Sequence, residues 1–517
     1  MLSLARSLSG AALAAGVYLA LAAPAQADCT SQLILNPASP LFLTSDTPFL
    51  STQPDVNCYS WQMFISLNWP ADPDWPGVPA KAGEPDRSAA MADFGKPGGS
   101  GQPMAGATVW ESFMPAPGIF KPGAATPDAW GTRPPLPPSC KSTGLRAAGS
   151  YPKVLTASSK AAVHPRHGFN LTTGTQASQS DEIMEAVGGW LTDQSGKLVF
   201  FERLVGKAEY DYIAGSGLYD AATQMSVATN ADGTTPQGLS LPAGARILRP
   251  PSTPQPQEEL GAFELKAAWR VLTGMTAQYP RYLTASTWLL RPDTGVCTQE
   301  VVGLVGLHII HKTSTFPDFV WATFEQVDNV QEKTGETPPP GGYSFFDPSS
   351  SETPNQPRIK CSSSGCTDLF PRDQPVQVTR EVPTVQAMDS LNSAVQSLIK
   401  SQSGGASVFQ YYKLVNVLWD GAPTPPMNEP GANAKVPLHY GSFESQGNQP
   451  VANTTMETYA QKVGGGSNAD DASCNICHRG ATIAGSSTLA SDFSFLFGTA
   501  SSQASVPGVT VSQEFRP

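Results

Sequence analysis

Beyond residue 27 the sequence has no run approaching the twenty or so apolar residues that a membrane-crossing helix requires, so no membrane span is expected in the mature chain. Basic residues are outnumbered: 32 Lys and Arg stand against 43 Asp and Glu, a formal net charge of −11. That sign disfavours nucleic acid and anionic membrane surfaces as partners. The chain also lacks a Gly-rich nucleotide loop, a nucleophile elbow and a His-Glu-x-x-His pair, which removes the common signatures of nucleotide, acyl-transfer and zinc chemistry. No internal repeat of useful strength is visible, so a solenoid or propeller is not expected.

What is present begins with an address. Arg6 precedes the apolar stretch SGAALAAGVYLALAA, which ends in the small-residue site APAQA. This reads as a Sec-type signal peptide over 1–27, leaving Asp28 first in a mature chain expected in the periplasm. Asp28 stands where lipid attachment before Cys29 wants a small residue, and a single arginine is no twin-arginine signal. Two of the 8 cysteines, Cys474 and Cys477, belong to a motif treated below. The other six form an even set suited to an oxidising compartment, and fifteen full pairings are open to them. The expected set is Cys29–Cys58, Cys140–Cys297 and Cys361–Cys366.

Hydrophobic spacing outlines the fold. NCYSWQMFISLNWP carries Trp61, Phe64, Ile65 and Asn68 at helical intervals and stops at Pro70; TVQAMDSLNSAVQSLIK carries Met388, Leu391, Val395 and Leu398 likewise. EVVGLVGLHIIHKT is β-branched and reads as a buried strand, as do LVFFERLV and VFQYYKLVNVLW. ANTTMETYAQKV and SSTLASDFSFLFGTA are expected to be helical. With 47 glycines and 48 prolines, long irregular connections are expected between these elements. The fold class is therefore α+β: a β-rich body over 28–450 with long Pro/Gly-rich loops, and a small helical C-terminal segment over 451–517.

That segment holds SCNICHRGA. Cysteines three positions apart on one turn reach the two vinyl groups of a haem, and the next residue is held on the iron. Cys474 and Cys477 are thus the expected thioether attachments of one haem c, and His478 its proximal iron ligand. A zinc site would want a second ligand pair nearby, and a thioredoxin-like motif a preceding strand; GGGSNADDA supplies neither. No other Cys-x-x-Cys-His occurs, so a single c-type haem is expected. No methionine follows Met456, which excludes the usual downstream Met ligand. His308, in the apolar run GLVGLHIIHKT, is the leading candidate for a distal ligand; the other reading is a buried histidine satisfied by a backbone carbonyl. His311, three positions on, faces the opposite side of a strand. His164, His167, His439 and Met456 are lesser candidates. Phe493, Phe495, Leu496 and Phe497 are close enough in sequence to line the haem, the other reading being ordinary packing of a terminal helix; Arg479 reads as a solvated residue, with a propionate as the alternative partner.

The stretches METYAQ, SCNICHRGA and SDFSFLF, together with NCYSWQMFISLNWP, ELKAAWRVL and LHIIHKTSTFPDFVWATFEQVDN, resemble a family of proteobacterial periplasmic cytochrome c family proteins. The resemblance implies covalent haem and electron transfer, and it draws Trp321 and Glu325 toward the haem. The expected function is a periplasmic monohaem c-type cytochrome exchanging single electrons with a periplasmic redox partner protein. The alternative is a haem oxidoreductase with an open or displaceable sixth iron site, since some 420 residues precede the haem segment where about 100 can wrap a haem.

Overall fold

The computed structural model describes residues 29–46, 52–143, 153–155, 157–158, 169–170, 175–176, 189–229, 238–247, 251–291, 294–362, 365–420, 443–445, 451–461, 474, 478, 481–486 and 489–502. The expected signal peptide, Cys477, Arg479, His164, His167 and His439 lie outside these.

A ten-stranded sheet organises the chain. Its central strands are β1 (Phe200–Val205), β2 (Phe263–Val271), β3 (Thr284–Leu290), β4 (Cys297–His311), β5 (Val320–Gln326) and β6 (Tyr412–Asp420). The path runs β1-β2-β4-β5-β6, all antiparallel, with β3 paired to the first half of β4 on the edge that β5 takes over further along. The longer helices among the described residues are α1 (Gln53–Leu67), α2 (Lys207–Gly215), α3 (Ala221–Ala228) and α4 (Gln386–Gln402). The α+β, β-rich architecture expected from hydrophobic spacing is the one observed. Among the described residues no helix is long and apolar enough to cross a membrane.

α1 starts where Thr52 and Asp55 exchange side-chain-to-backbone hydrogen bonds, a capping box that satisfies two donors at the helix start. From Val56 to Leu67 every residue is buried. Trp61 meets Phe324 of β5 edge to face at 5.1 Å, and Phe64 stacks on it at 4.3 Å. α4 lays Met388, Leu391, Val395 and Ile399 into the same core. This core lies on one sheet face, where Leu265, Ala267 and Trp269 of β2 join Leu307 and Ile309 of β4 and Ala322 and Phe324 of β5.

The intervening residues look the other way. Ile310, Trp321 and Leu418 belong to a second cluster with Phe319, Phe493, Leu496 and Phe497. Val305 and Ala268 belong to a third, with Met456. A bulge separates these sets: Ala268 pairs with Gly306 but Trp269 with Leu304, leaving Val305 as the extra residue. Gly306 is required there, because an added Cβ would collide with Thr455 Oγ1 where 453–457 lies against the sheet.

Cys29–Cys58 ties the first short helix to α1, and Cys140–Cys297 ties the 3₁₀ segment Pro138–Thr143 to the start of β4, both as expected. Cys361 and Cys366 sit opposite each other in the backbone register of a two-stranded hairpin.

Two expected helices do not appear among the described residues. Residues 451–461 form turns, because Asn453 Nδ2 donates to Thr323 Oγ1 at 3.0 Å and to the Phe324 carbonyl at 2.9 Å, anchoring the chain to β5. In 489–502 only Leu496–Thr499 makes a 3₁₀ turn. Asp492 and Phe493 take φ of +55° and +68°, the left-handed region, which a continuous helix excludes. The Asp492 carboxylate accepts from the Leu241 N–H at 2.6 Å and from the Lys312 ammonium, so buried polar partners decide the local backbone.

Candidate functional site

Cys474 and His478 each have helical backbone. Both are half-buried, and Cys474 packs against the second apolar cluster. His478 Nδ1 lies 2.7 Å from the Phe493 carbonyl oxygen. A carbonyl only accepts, so Nδ1 carries the proton and the neutral ring keeps its lone pair on Nε2. This is the usual way a protein fixes the tautomer and ring plane of a ligating imidazole. The left-handed pair Asp492–Phe493 turns that carbonyl toward His478.

Aromatic edges surround the ring. Trp321 of β5 meets His478 at 4.8 Å and Phe495 meets it at 4.9 Å, both edge on. Phe493 lies 5.8 Å from Trp321, and Phe319 lies 6.2 Å from Phe493. Trp321 is held in place by its indole N–H, which donates to the Asp318 carbonyl at 2.9 Å. Below the aromatics, the Gln224 side chain of α3 accepts from the Ala484 N–H at 3.0 Å, fastening the chain just after His478 to the body.

No family model, curated protein or solved structure matches this chain.

Of the residues singled out in the sequence, the structure gathers His478, Cys474, Phe493, Phe495, Leu496, Phe497 and Trp321 around one apolar cluster. Phe497 sits one shell out, edge to face with Phe120 at 5.9 Å. His308 lies on the same sheet face as Trp321, opposite Thr323 of β5. Its Nε2 is 3.1 Å from Glu457 Oε1. Burial raises the Glu457 carboxyl, but the charge and hydrogen bond of His308 and the Asn453 N–H outweigh it and hold the group below its ordinary range. A ligand role for His308 therefore requires Nδ1 or the release of Glu457. His311 faces the opposite side, between Tyr59 Oη at 2.6 Å and the Leu260 carbonyl at 2.7 Å. Met456 is buried in the third cluster. Glu325 is fully buried in an ion network with Arg380, and its carboxylate also accepts from the Thr454 N–H at 2.5 Å.

Sequence reasoning missed Phe319, Lys312 and Asp492. Strand alternation carries part of the signal: Phe319 and Trp321 share a parity that Val320 and Ala322 do not. Nothing in the sequence marks Asp492 as buried. Among the described residues no group of three or more His, Cys, Asp or Glu side chains is placed to hold a metal ion.

Proposed function

We propose that the chain is a periplasmic monohaem c-type cytochrome, with one haem c joined to Cys474 and Cys477 and its iron on His478, passing single electrons to and from a periplasmic redox partner protein. The observation that carries this reading is the hydrogen bond from His478 Nδ1 to the Phe493 carbonyl, which leaves Nε2 as the basic nitrogen. The residues fit the group in two further respects. Cys474 packs against the apolar cluster whose Trp321 meets His478, and the wall behind them is aromatic, as a haem requires to hold its potential. Haem supplies a one-electron couple when bound. The chain's own part is to fix the imidazole through Phe493, to exclude water with Trp321 and Phe495, and to brace the segment through Gln224. The signal-like leader and the two disulfides support an oxidising, exported setting.

A second reading, a haem oxidoreductase with an open sixth site, is favoured by one observation: the nitrogen His308 would use most directly is engaged by Glu457. The visible spectrum of the purified ferrous protein, with and without carbon monoxide, tests both. Sharp low-spin bands that the gas leaves unchanged are expected for the electron carrier. A spectrum that shifts on adding the gas transfers the assignment to the oxidoreductase, and a protein without haem absorbance sinks both.

A further inference from the structure

Three of the five described non-glycine residues with left-handed backbone gather around His478: Phe319 at φ +69°, Asp492 at +55° and Phe493 at +68°. Such a φ is uncommon for any side chain and an outlier for a bulky one, so the surroundings have to impose it. Asp492 and Phe493 are the central residues of a turn closed by the Ser494 N–H, which donates to the Ser491 carbonyl at 3.2 Å. Turns with positive φ at both centres suit Asn, Asp and Gly. Asp492 fits its place, but Phe493 does not. Something must therefore hold this turn in the form that aims the Phe493 carbonyl at His478.

One ammonium reaches the turn from the body. Lys312 directly follows β4, and its own backbone is pinned. Its N–H donates to the Ala262 carbonyl at 2.9 Å, and an added Cβ on Gly261, at φ +89°, would collide with its carbonyl oxygen. The Lys312 ammonium donates to Asp492 Oδ2, both side chains being nearly inaccessible, and lies 5.5 Å from the centre of the Phe319 ring. The same carboxylate oxygen accepts from the Leu241 N–H at 2.6 Å. The charge of Lys312 also reaches the buried Glu209 carboxyl, but its hydrogen bond goes to Asp492. Without the ammonium, Asp492 would be a buried carboxylate stripped of its counter-charge.

From Asp492 the chain leads straight to the imidazole. The carbonyl of the next residue, Phe493, holds His478 Nδ1 at 2.7 Å. Backbone bonds tie the two turns together: Ser491 N–H donates to the Ala481 carbonyl at 3.1 Å, and Ala481 N–H to the His478 carbonyl at 3.0 Å. The Phe493 ring is lodged against Phe319 and Trp321, at 6.2 and 5.8 Å. Lys312 thus acts on both sides of Phe493, on the carboxylate that precedes it and on the ring that abuts it.

We propose that Lys312 is a positioning residue for His478. Through Asp492 it holds the 491–494 turn in its left-handed form, which keeps the Phe493 carbonyl on Nδ1. That hydrogen bond fixes the plane of the ring and raises the basicity of Nε2. The consequence for a bound haem rests on the reading above; the hydrogen bond itself belongs to the chain.

The test uses the full chain with histidine-selective nitrogen labelling and two readouts: solvent exchange of the His478 Nδ1 proton by NMR, and the midpoint potential of the haem. The informative variant combines Lys312→Met with Asp492→Asn, which removes the ion pair, leaves no lone buried charge and keeps the net charge. Exchange of the Nδ1 proton is expected to quicken about two- to tenfold, the range that one lost hydrogen bond represents. The potential is expected to rise, because a less basic imidazole stabilises oxidised iron less. Arg270→Met with Asp193→Asn deletes another buried ion pair, beside the third cluster, and serves as control. It is expected to cost stability and to move neither readout. If the double variant does not fold, Asp492→Asn alone is read by exchange, since its charge change moves the potential by itself. Exchange unchanged in the folded variant overturns the proposal, whatever the potential does, and leaves Lys312 a stability residue. Equal changes in the control pair overturn it too. A chain without haem absorbance overturns the haem reading alone, and exchange then still decides the role of Lys312.

Discussion

Trp321 and Trp61 allow the two faces of one sheet to be tested against each other. Both indoles are buried, Trp61 at 0 % and Trp321 at 2 % exposure, and both pack on β5 or belong to it. Truncation of such a side chain to alanine costs about 3–5 kcal/mol. Trp321→Ala carries an added loss, because the Asp318 carbonyl forfeits its indole donor at 2.9 Å, worth about 1 kcal/mol. Its edge contacts with His478 and Phe493 add about 0.5–1.5 kcal/mol each. The Trp61 indole nitrogen has no hydrogen-bond partner, so Trp61→Ala breaks no such bond. Urea unfolding should therefore place Trp321→Ala at or above the top of the 3–5 kcal/mol range and Trp61→Ala within it. The two then part company at the site. Trp321→Ala should shift the ferrous visible spectrum and the midpoint potential, since it removes the wall on His478. Trp61→Ala, across the sheet, should leave both unchanged. Equal spectral shifts in the two variants would refute the assignment of Trp321 to the His478 environment and reduce it to a stability residue.

Two further predictions concern the body. Burial pushes the His311 imidazole down to about 3, against the opposing effect of the Leu260 carbonyl. The folded state then binds fewer protons than the unfolded chain, whose histidines titrate at about 6.5, so stability present above that pH is lost on acidification, by about 3 kcal/mol between pH 7 and pH 4. His311→Gln should make the acid limb of the unfolding curve shallower by one proton, and an unchanged limb would refute the burial argument. The disulfides are ranked by loop length: the 157-residue separation of Cys140–Cys297 corresponds to about 5 kcal/mol of chain entropy and the 29-residue separation of Cys29–Cys58 to about 3.5 kcal/mol. Replacing both cysteines of each pair by alanine and comparing urea midpoints checks this, and a larger loss from the shorter loop would show that strain or residual structure outweighs loop entropy.

Much of the frame was legible in the sequence because it depends on local spacing. The helical intervals of Trp61, Phe64 and Ile65 and of Met388, Leu391 and Val395, and the β-branched run before His308, describe how short segments bury one face. The Cys-x-x-Cys-His run is likewise local, since one turn of chain is all that its chemistry requires. Elements shaped by distant partners were not legible. Residues 451–461 look helical by periodicity, yet Asn453 is spoken for by β5, some 130 residues earlier. The stretch around Phe493 looks helical too, yet Asp492 is bound to Leu241 and Lys312, and the backbone follows its carboxylate. The approach of Trp321 to His478 belongs to the same class. Spacing in the sequence by itself determined the buried helices at 53–67 and 386–402 and the strand that carries His308; it left fifteen sets of cysteine pairings open, of which Cys29–Cys58 and Cys140–Cys297 are observed, and it marks Cys474, Cys477 and His478 as the proposed haem attachment. Only the tertiary structure decided which face of β5 meets His478 and which partners Asn453 and Asp492 take, because buried polar groups take whatever partners the packing brings them, and that packing is set by residues hundreds of positions apart.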